Sequence, residues 1–422
     1  MVEREVFVHI DLNGSPVLVG RLWTRVRGRK ESSTFEYDSN WLERPDKFSL
    51  EPALILSSGA FHTGGDKAIF GAIGDSAPDR WGRALMRRAE RRRAKDAKEA
   101  PRTLFEVDYL LMVNDLARQG ALRFSLEPDG PFLADTIGSK IPLLVELSNL
   151  LSAADHIAEE NETEEELRLL LAPGSSLGGA RPKASVLDKN RRLLIAKFPH
   201  KEDEIDIVKW EAVALKLAKL ARIDVPKWRI ENVGKKSVLL LQRFDRSGSG
   251  SLIRIPFLSA MSMLDARDNE THSYLEIADA LKMHGAAAKT DLNKLFRRMV
   301  FNILISNTDD HLRNHGFLYQ DLDGWKLSPA YDLNPVPIDI KPRILSTNIS
   351  EDDGTASLEL ALEVASYFEL DSDDGRKIAQ EVGKAVSTWR QVAEKLGIVK
   401  AGLDRMSSAF EHKDLEFAKV GV

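Results

Sequence analysis

A short polar loop carries the side chains of this chain that could do chemistry. The loop from Asn307 to Asn314 reads Asn-Thr-Asp-Asp-His-Leu-Arg-Asn, and a further carboxylate, Asp332, follows in the segment Ser-Pro-Ala-Tyr-Asp. A phosphoryl transfer requires little more from a protein than one carboxylate beside the acceptor hydroxyl and oxygen ligands for Mg²⁺. The loop and Asp332 therefore point to transfer of a phosphate group to a hydroxyl.

Within this set, the spacing assigns the roles. An aspartate, four further residues and an asparagine, with a second aspartate after one hairpin, is the spacing of a protein-kinase catalytic loop and metal site. We expect Asp309 to be the catalytic carboxylate, and Asn314 and Asp332 to hold Mg²⁺. Asp310 is the alternative catalytic residue, and its spacing to Asn314 favours Asp309.

The density of polar residues in this loop exceeds what a turn needs. Eight of the nine positions from Asn307 to His315 are polar, between an apolar helix and an apolar strand. A surface turn uses one or two such side chains to bond its own backbone, so we prefer a functional loop. His311 is expected at the nucleotide site, with a hydrogen bond that braces the loop as its simpler role. His315 is expected at the surface.

A helix from Asp291 to Ile305 should position this loop. Its apolar residues recur at the spacing of one helix face, which predicts a helix packed into the core; they are Leu292, Leu295, Phe296, Met299 and Val300. A catalytic group is best held by such a rigid element.

A second candidate group is a lysine with an acidic partner. Lys197 ends the apolar strand 193–197, like the lysine that pairs with nucleotide phosphates in kinases, although most such lysines only turn to solvent. Glu211 lies in the apolar stripe of a helix predicted over 206–221. A buried acid needs a partner, and we expect Lys197 to provide it.

A glycine-containing segment precedes that strand. Ser176, Gly178, Gly179 and Ala180 could present backbone N–H groups to an anion, and Lys183 could add charge near the phosphates. The segment is not a Walker A loop, since no Gly-Lys-Ser or Gly-Lys-Thr follows at the required distance.

Composition narrows the class of protein. The chain has 422 residues, 43% hydrophobic and 30% charged, with no cysteine and a net charge of -5. These values predict a cytoplasmic enzyme of two or three domains with no membrane partner, and they exclude disulfides and thiolate chemistry. A basic helix over 83–98 has two interpretations, a solvated helix face, which we favour, and a contact to DNA phosphates.

The order of elements predicts an α+β fold. Strands dominate the first part and helices the last, which indicates a two-lobed, protein-kinase-like fold with a small N-terminal β-rich subdomain and a mostly helical C-terminal lobe. We expect an N-terminal subdomain over 1–125, a kinase N-lobe region with the candidate phosphate-binding segment over 126–250, and a helical C-lobe over 251–422.

The motifs in this order resemble the HipA family of bacterial toxin-type serine/threonine kinases. The resemblance rests on Ser176 to Lys183, Ala196-Lys197-Phe198-Pro199, Gln242-Arg243-Phe244-Asp245-Arg246, the loop 307–314 and Ser328-Pro329-Ala330-Tyr331-Asp332. It implies that Asp309 is catalytic, that Asn314 and Asp332 bind Mg²⁺ and that Lys197 contacts ATP. It also implies that Gln242 and Phe244 form the adenine hinge, that Asp245 reaches the nucleotide, and that Ser176 is an inhibitory autophosphorylation site.

The resemblance further implies a biological setting. Members phosphorylate a protein, such as an aminoacyl-tRNA synthetase, to arrest growth. They are restrained by a small HipB-type antitoxin, and DNA is contacted through that complex. Three departures matter: the loop reads Gly-Gly-Ala-Arg-Pro-Lys, in which Pro182 stiffens it; the segment Ile255-Pro256-Phe257-Leu258-Ser259 replaces a more polar one; and Asp332 is followed by Leu-Asn rather than Phe-Gly.

The sequence leaves three functions in competition. The first is an ATP- and Mg²⁺-dependent protein serine/threonine kinase that acts as a toxin. The second is an operon co-repressor whose kinase lobe is a relic, which retention of the candidate site residues disfavours. The third is a kinase for a small-molecule hydroxyl.

Overall fold

A computed structural model describes residues 2–65, 67–133, 141–174, 181–248, 253–320 and 324–420. The chain divides into two compact units. Unit 1 comprises Met1–Lys201 and Asn232–Leu258, and unit 2 comprises Glu202–Glu231 and Ser259–Val422. The predicted ranges 1–125 and 126–250 both fall mainly in unit 1, so their separation stays a prediction.

The elements alternate between strands and helices in the first half of the chain and are mostly helical in the second. The strands are β1 Val2–Leu12, β2 Ser15–Arg27, β3 Lys30–Tyr37, β4 Ala60–His62, β5 Leu122–Ser125, β6 Lys183–Leu187, β7 Leu193–Lys197, β8 Trp228–Val233, β9 Lys236–Gln242, β10 Arg246–Ser247, β11 Ile253–Arg254, β12 Phe257–Ser259, β13 Gly316–Gln320 and β14 Gly324–Leu327.

The α-helices are α1 Ser39–Glu43, α2 Gly71–Gly74, α3 Arg80–Asp96, α4 Glu106–Met112, α5 Leu147–Ala158, α6 Glu164–Gly174, α7 Ile207–Leu220, α8 Ala260–Met263, α9 Tyr274–His284, α10 Ala288–Leu304, α11 Leu358–Glu363, α12 Ser372–Val386, α13 Trp389–Lys395, α14 Lys400–Phe410 and α15 Lys413–Val420. Short 3₁₀ turns cover Leu144–Glu146, Leu312–Asn314 and Ala365–Phe368.

Unit 1 begins with an antiparallel sheet in the order β4-β3-β2-β1-β5. The β1–β2 hairpin turns at Asn13 and Gly14, where φ is 54° and 86°, and Gly14 N donates to Asp11 Oδ1 at 2.8 Å. Positive φ at both positions is what a two-residue hairpin turn requires, which explains the Asn-Gly pair. Strands β1, β2 and β3 therefore form an antiparallel meander joined by short turns.

The second sheet of unit 1 carries the predicted lysine strand. Strand β7 pairs with β6 on one side and β9 on the other, and both pairings are antiparallel. One face of the sheet packs on helices α3, α5 and α6 through an apolar core that includes Val186, Leu194, Leu240, Leu85, Leu150 and Leu170. Strands β6 and β9 are buried along nearly their whole length, from Lys183 to Leu187 and from Ser237 to Leu241, which is the pattern of strands covered on both faces.

Helix α10 is the centre of unit 2. All five residues of its predicted stripe are 0% exposed, and Phe301, Ile303 and Leu304 are buried as well. The stripe therefore positions the end of α10 rigidly, as predicted. None of the helices in the described part of the chain is long and apolar enough to cross a membrane.

Candidate active site

The polar loop leaves the end of α10 through a sharp backbone turn. Ser306 has φ of 51°, in the left-handed region that L-residues seldom adopt. Its hydroxyl donates to Ala409 O at 2.8 Å and accepts from Arg343 Nε at 3.0 Å. These two bonds hold the strained residue in place, so the loop begins from a fixed point.

The structure separates the two adjacent aspartates. The side chain of Asp309 is 66% exposed, whereas that of Asp310 is 3% exposed. A carboxylate that must meet a substrate hydroxyl has to be accessible. Exposure therefore favours Asp309 over Asp310, in agreement with the spacing argument.

Asp310 instead belongs to a buried polar network. It accepts a hydrogen bond from the phenol of Tyr274 and lies 3.0 Å from His315 Nε2. Burial alone would raise the pKa of Asp310, but the charge of His315 and the hydrogen bonds from His315 and Tyr274 lower it. Burial and the Asp310 charge raise the pKa of Tyr274 well above its usual value, so its phenol stays a donor.

The expectation that His315 is a surface residue was wrong. Its side chain is 0% exposed, and its ring lies 5.2 Å from that of Tyr274 in an edge-on arrangement. The polar residues before His315 suggest an exposed loop, but in the folded chain His315 lies beside the buried carboxylate of Asp310. His311 is partly buried, and its Nδ1 has no hydrogen-bond partner among the described residues, so a bracing bond from that atom is not found.

The network continues from Tyr274 to the metal loop, the segment around Asp332. Asn302 Nδ2 donates to the Tyr274 hydroxyl at 3.0 Å, and Asn307 Nδ2 donates to Asn302 Oδ1 at 3.1 Å. Asn307 Oδ1 in turn accepts from the backbone N–H of Asn334 at 3.3 Å. One chain of side chains therefore ties the catalytic loop to the segment that carries Asp332.

The two predicted metal ligands are placed by the same loops. Asn314 is buried and its Nδ2 donates to the backbone carbonyl of Asp309 at 3.0 Å, which leaves the amide oxygen as the atom for a ligand. Asp332 has φ of 56°, and the neighbouring Tyr331 hydroxyl donates to Arg313 O at 2.7 Å. An amide oxygen and a carboxylate suit Mg²⁺, which usually takes few protein ligands alongside phosphate oxygens and water.

This donor set is too small to form a metal cluster by itself. Within the described ranges, no group of three or more His, Asp or Glu side chains could hold a metal ion. The residues therefore fit a metal that is bound together with a phosphate ligand.

Lys341 is a candidate that the sequence reasoning missed. Its Nζ donates to Thr308 O at 3.0 Å and lies 3.9 Å from Asp309 Oδ1. Ser346 Oγ donates to the same Thr308 carbonyl at 2.9 Å, and Thr347 Oγ1 donates to Asp310 O at 2.7 Å. The segment from Lys341 to Thr347 therefore braces the catalytic loop, and no local sequence pattern indicated this.

In unit 1, the two predicted lysines differ in their surroundings. Lys197 ends β7 opposite Lys183 and Leu239 and is partly exposed. Lys183 is 4% exposed, and its ammonium lies 3.3 Å from Asp79 Oδ2. Asp79 also caps helix α3, so the ammonium of Lys183 is engaged in holding that helix start, which favours a structural role over a phosphate contact.

Asp245 is enclosed by donors. It accepts from Arg243 Nε at 2.6 Å, from Arg246 Nη1 at 2.8 Å and from the backbone N–H of Gly120 at 2.8 Å. Burial raises its pKa, but the two guanidinium groups hold the pKa well below the usual range. With 2% exposure, this carboxylate organises the protein interior, which argues against the expected contact to a nucleotide.

The remaining candidates have simpler placements. Gln242 ends β9 opposite Leu194, and the ring of Phe244 lies 6.3 Å from that of Phe257; both residues are partly exposed. Glu211 is 3% exposed, as its stripe predicted, but it falls in unit 2 and Lys197 in unit 1, so their pairing stays a prediction. The predicted sites at Ser176, Gly178, Gly179 and Ala180 lie outside the described residues.

Known proteins resemble the chain in both sequence and structure. It is 26% identical over 234 residues to a Haemophilus influenzae protein named "Putative kinase", which covers 50% of this chain and 68% of that relative. "Putative kinase Y4mE" and "Putative kinase Y4dM" of Sinorhizobium fredii are 26% and 28% identical over 208 and 135 residues. These matches cover 47% and 29% of this chain, and the chain spans only 44% and 32% of the two relatives.

A solved structure extends the likeness to nearly the whole chain. The HipA protein of Shewanella oneidensis MR-1, solved in a complex with HipB and its operator DNA, gives a TM-score of 0.66 at 16% identity and covers 98% of this chain and 96% of that one. This likeness confirms the predicted α+β, kinase-like fold. The family model for the HipA-like C-terminal domain matches residues 175–389, which is more than half of the chain. The chain therefore belongs to the HipA family.

Proposed function

We propose that this chain is an ATP- and Mg²⁺-dependent protein serine/threonine kinase. The observation that carries the proposal is the exposed Asp309 on a loop whose neighbours are buried and hydrogen-bonded to the metal loop. Preorganisation of this kind is what phosphoryl transfer draws from a protein, because the reaction depends on positioning and charge stabilisation. The kinase names of the curated relatives agree with it.

Each candidate residue has a defined task in this proposal. Asp309 accepts or orients the proton of the acceptor hydroxyl. Asn314 and Asp332 hold Mg²⁺, and Lys197, supported by Glu211, holds the phosphates. Bound ATP with its metal would supply the γ-phosphoryl group and neutralise part of its charge.

Lys341 adds a positioning role beside Asp309. Its ammonium bonds the Thr308 carbonyl at 3.0 Å and stands 3.9 Å from the Asp309 carboxylate. A cation held there orients the Asp309 carboxylate, which stays 66% exposed and open to a hydroxyl.

We further propose a toxin role with a HipB-type antitoxin as partner. The support is the likeness to the Shewanella oneidensis HipA, whose structure was solved with HipB and operator DNA. In this setting the chain phosphorylates a protein target, and Ser176 is its autophosphorylation site. DNA is then contacted through the antitoxin complex.

A transfer assay tests the kinase proposal. The full chain is incubated with γ-labelled ATP, Mg²⁺ and a bacterial lysate, beside an Asp309→Asn variant. We expect label on protein from the wild type and a loss of label with the variant. Label on a low-mass product would instead identify a small-molecule kinase, and no transfer by the wild type would contradict the proposal.

Two further measurements separate the remaining alternatives. A relic lobe should gain no nucleotide affinity from Mg²⁺, whereas the proposed site should bind ATP more tightly with the metal. Induction of the chain should arrest growth, and co-expression of a neighbouring helix-turn-helix protein should relieve the arrest. Growth that continues with an active kinase would contradict the toxin role alone.

A further inference from the structure

The basic helix α3 divides into a paired set and an exposed stripe. It carries eight cations and two acids between Arg80 and Asp96. Arg88 lies 3.0 Å from Glu162, and Arg93 lies 2.9 Å from Glu90. Each of these two arginines has a carboxylate partner within the chain that partly neutralises its charge, as expected for a solvated helix face.

The second set is a row of three cations on one line of the helix. Arg87, Arg91 and Lys95 are four residues apart and all exposed. In the part of the chain that the structure describes, no carboxylate lies within ion-pair distance of any of the three. Like charges four residues apart on a helix repel, so the row costs stability unless an anion binds to it.

A cavity of about 290 Å³ opens beside this row. Arg91 and Lys95 line it together with Arg88, Arg92, Asp96 and Glu162. Arg92 Nη1 donates to the Glu162 carbonyl at 3.3 Å, which holds its guanidinium in place. The cavity therefore presents four cations against two carboxylates, those of Asp96 and Glu162, in a chain whose net charge is -5.

We propose that this surface, the α3 stripe, binds the phosphate backbone of a nucleic acid. Successive members of the stripe are separated by a rise of about 6 Å, so the row spans about 12 Å, which suits a line of phosphates better than a single anion. Arginine favours phosphate because its planar fork can donate two parallel hydrogen bonds. This site is separate from the proposed kinase site and does not depend on it.

The packing of α3 argues against a membrane surface as the partner. A helix that lies on a bilayer must expose an apolar face beside its cations. The apolar face of α3 is instead in the core of unit 1, with Trp81 7% exposed, Leu85 and Met86 0% and Ala94 1%. The α3 stripe therefore presents positive charge without an exposed apolar face, as expected for a surface that binds nucleic-acid phosphates without sequence preference.

The test is fluorescence anisotropy with the full chain and a labelled DNA duplex of arbitrary sequence, titrated at several salt concentrations. The variant Arg87→Gln, Arg91→Gln, Lys95→Gln keeps helix propensity and removes three charges. We expect wild-type binding at low salt, with the logarithm of affinity falling linearly as the logarithm of salt rises. In the variant, that slope should shrink by about 2 to 3, because each neutralised phosphate contributes about 0.9.

A matched variant controls for net charge. Lys189→Gln, Arg191→Gln, Arg192→Gln removes three exposed cations from the β6–β7 hairpin of the same unit. It should bind the duplex as the wild type does. Equal losses in both variants, no wild-type binding at low salt, or binding only to polyglutamate or to anionic lipid vesicles would each overturn the assignment. Circular dichroism of both variants verifies that the fold is retained.

Discussion

Tyr274 donates its phenolic hydrogen to the carboxylate of Asp310, although the two residues lie 36 positions apart and both are buried. Tyr274 begins helix α9, whereas Asp310 sits in the candidate catalytic loop next to the exposed Asp309. The backbone that presents Asp309 is therefore held from a different helix than the one that leads into it.

Replacing Tyr274 with phenylalanine should loosen this support. The substitution deprives Asp310 of a donor and Asn302 Nδ2 of its acceptor, both in the interior. We expect the free energy of unfolding to fall by about 1 to 3 kcal/mol, measured by urea denaturation. Tyr367→Phe, at a tyrosine that is 46% exposed, is the matched control and should leave stability unchanged. Equal stability of the two variants would contradict a supporting role for the phenol.

Replacing each of the two adjacent aspartates with asparagine should affect different properties, activity for Asp309 and stability for Asp310. Asp309→Asn should keep the thermal midpoint of the wild type and lower phosphoryl transfer by roughly 10²- to 10⁴-fold. Asp310→Asn should lower the free energy of unfolding by about 1 to 3 kcal/mol, because it replaces the buried carboxylate that accepts from the Tyr274 phenol. Calorimetry and the labelled-ATP assay on both variants check this. Full transfer activity in Asp309→Asn would assign the chemistry elsewhere.

Loss of the Lys341 ammonium should slow transfer without weakening nucleotide binding. Lys341→Met removes the cation that lies 3.9 Å from Asp309, and the loss of one preorganised group typically lowers kcat by roughly 10²- to 10³-fold. The nucleotide Kd, measured by calorimetry, should stay within a factor of two or so of the wild type. Lys377→Met, at an exposed position of α12, is the control. Unchanged kcat with an active wild type would remove Lys341 from the mechanism.

Protonation of His412 should lower stability in mildly acidic solution. Burial and the charge of Arg343 lower the pKa of His412 to about 4, and its Nδ1 and Nε2 contact Leu415 N at 3.4 Å and Leu304 O at 3.2 Å. The unfolded chain, with a histidine pKa near 6.5, binds the extra proton first. Stability should therefore fall as pH drops from about 6.5 to about 4, by no more than about 3 kcal/mol.

Urea denaturation at a series of pH values measures this dependence. His412→Gln should flatten the change between pH 6.5 and 4, since it removes the titrating ring. His284→Gln, at an exposed histidine of α9, should keep the slope of the wild type. A slope that persists in His412→Gln would assign the titration to another group.

The parts of this molecule that sequence reasoning predicted are those with local causes. The stripe of α10 follows from helical periodicity and is confirmed. The Asn13-Gly14 turn likewise has a local cause, the positive φ that Asn and Gly tolerate. The roles that were missed depend on partners far along the chain. His315 is buried because Asp310 pairs with it, and Lys183 is occupied because Asp79 lies beside it.

Asp245 and Lys341 illustrate the same limit. The sequence around Asp245 resembles a nucleotide-contacting segment, yet the Gly120 N–H that helps to enclose it comes from 125 residues earlier. Lys341 sits in an irregular segment with no periodic pattern, and only the folded chain brings its ammonium to Thr308. Spacing within a motif is visible in one sequence, whereas long-range pairing is not.

The carboxamide of Asn307 has a consequence for control. It donates to Asn302 in helix α10 and accepts from the backbone N–H of Asn334 beside Asp332. This one side chain therefore links the catalytic loop to the segment that carries Asp332. Swinging one loop outward would strand a polar group in the interior. An inhibitor that acts by separating these two loops would therefore have to break buried hydrogen bonds. An inhibitor that binds the exposed Asp309 carboxylate would not have to break them.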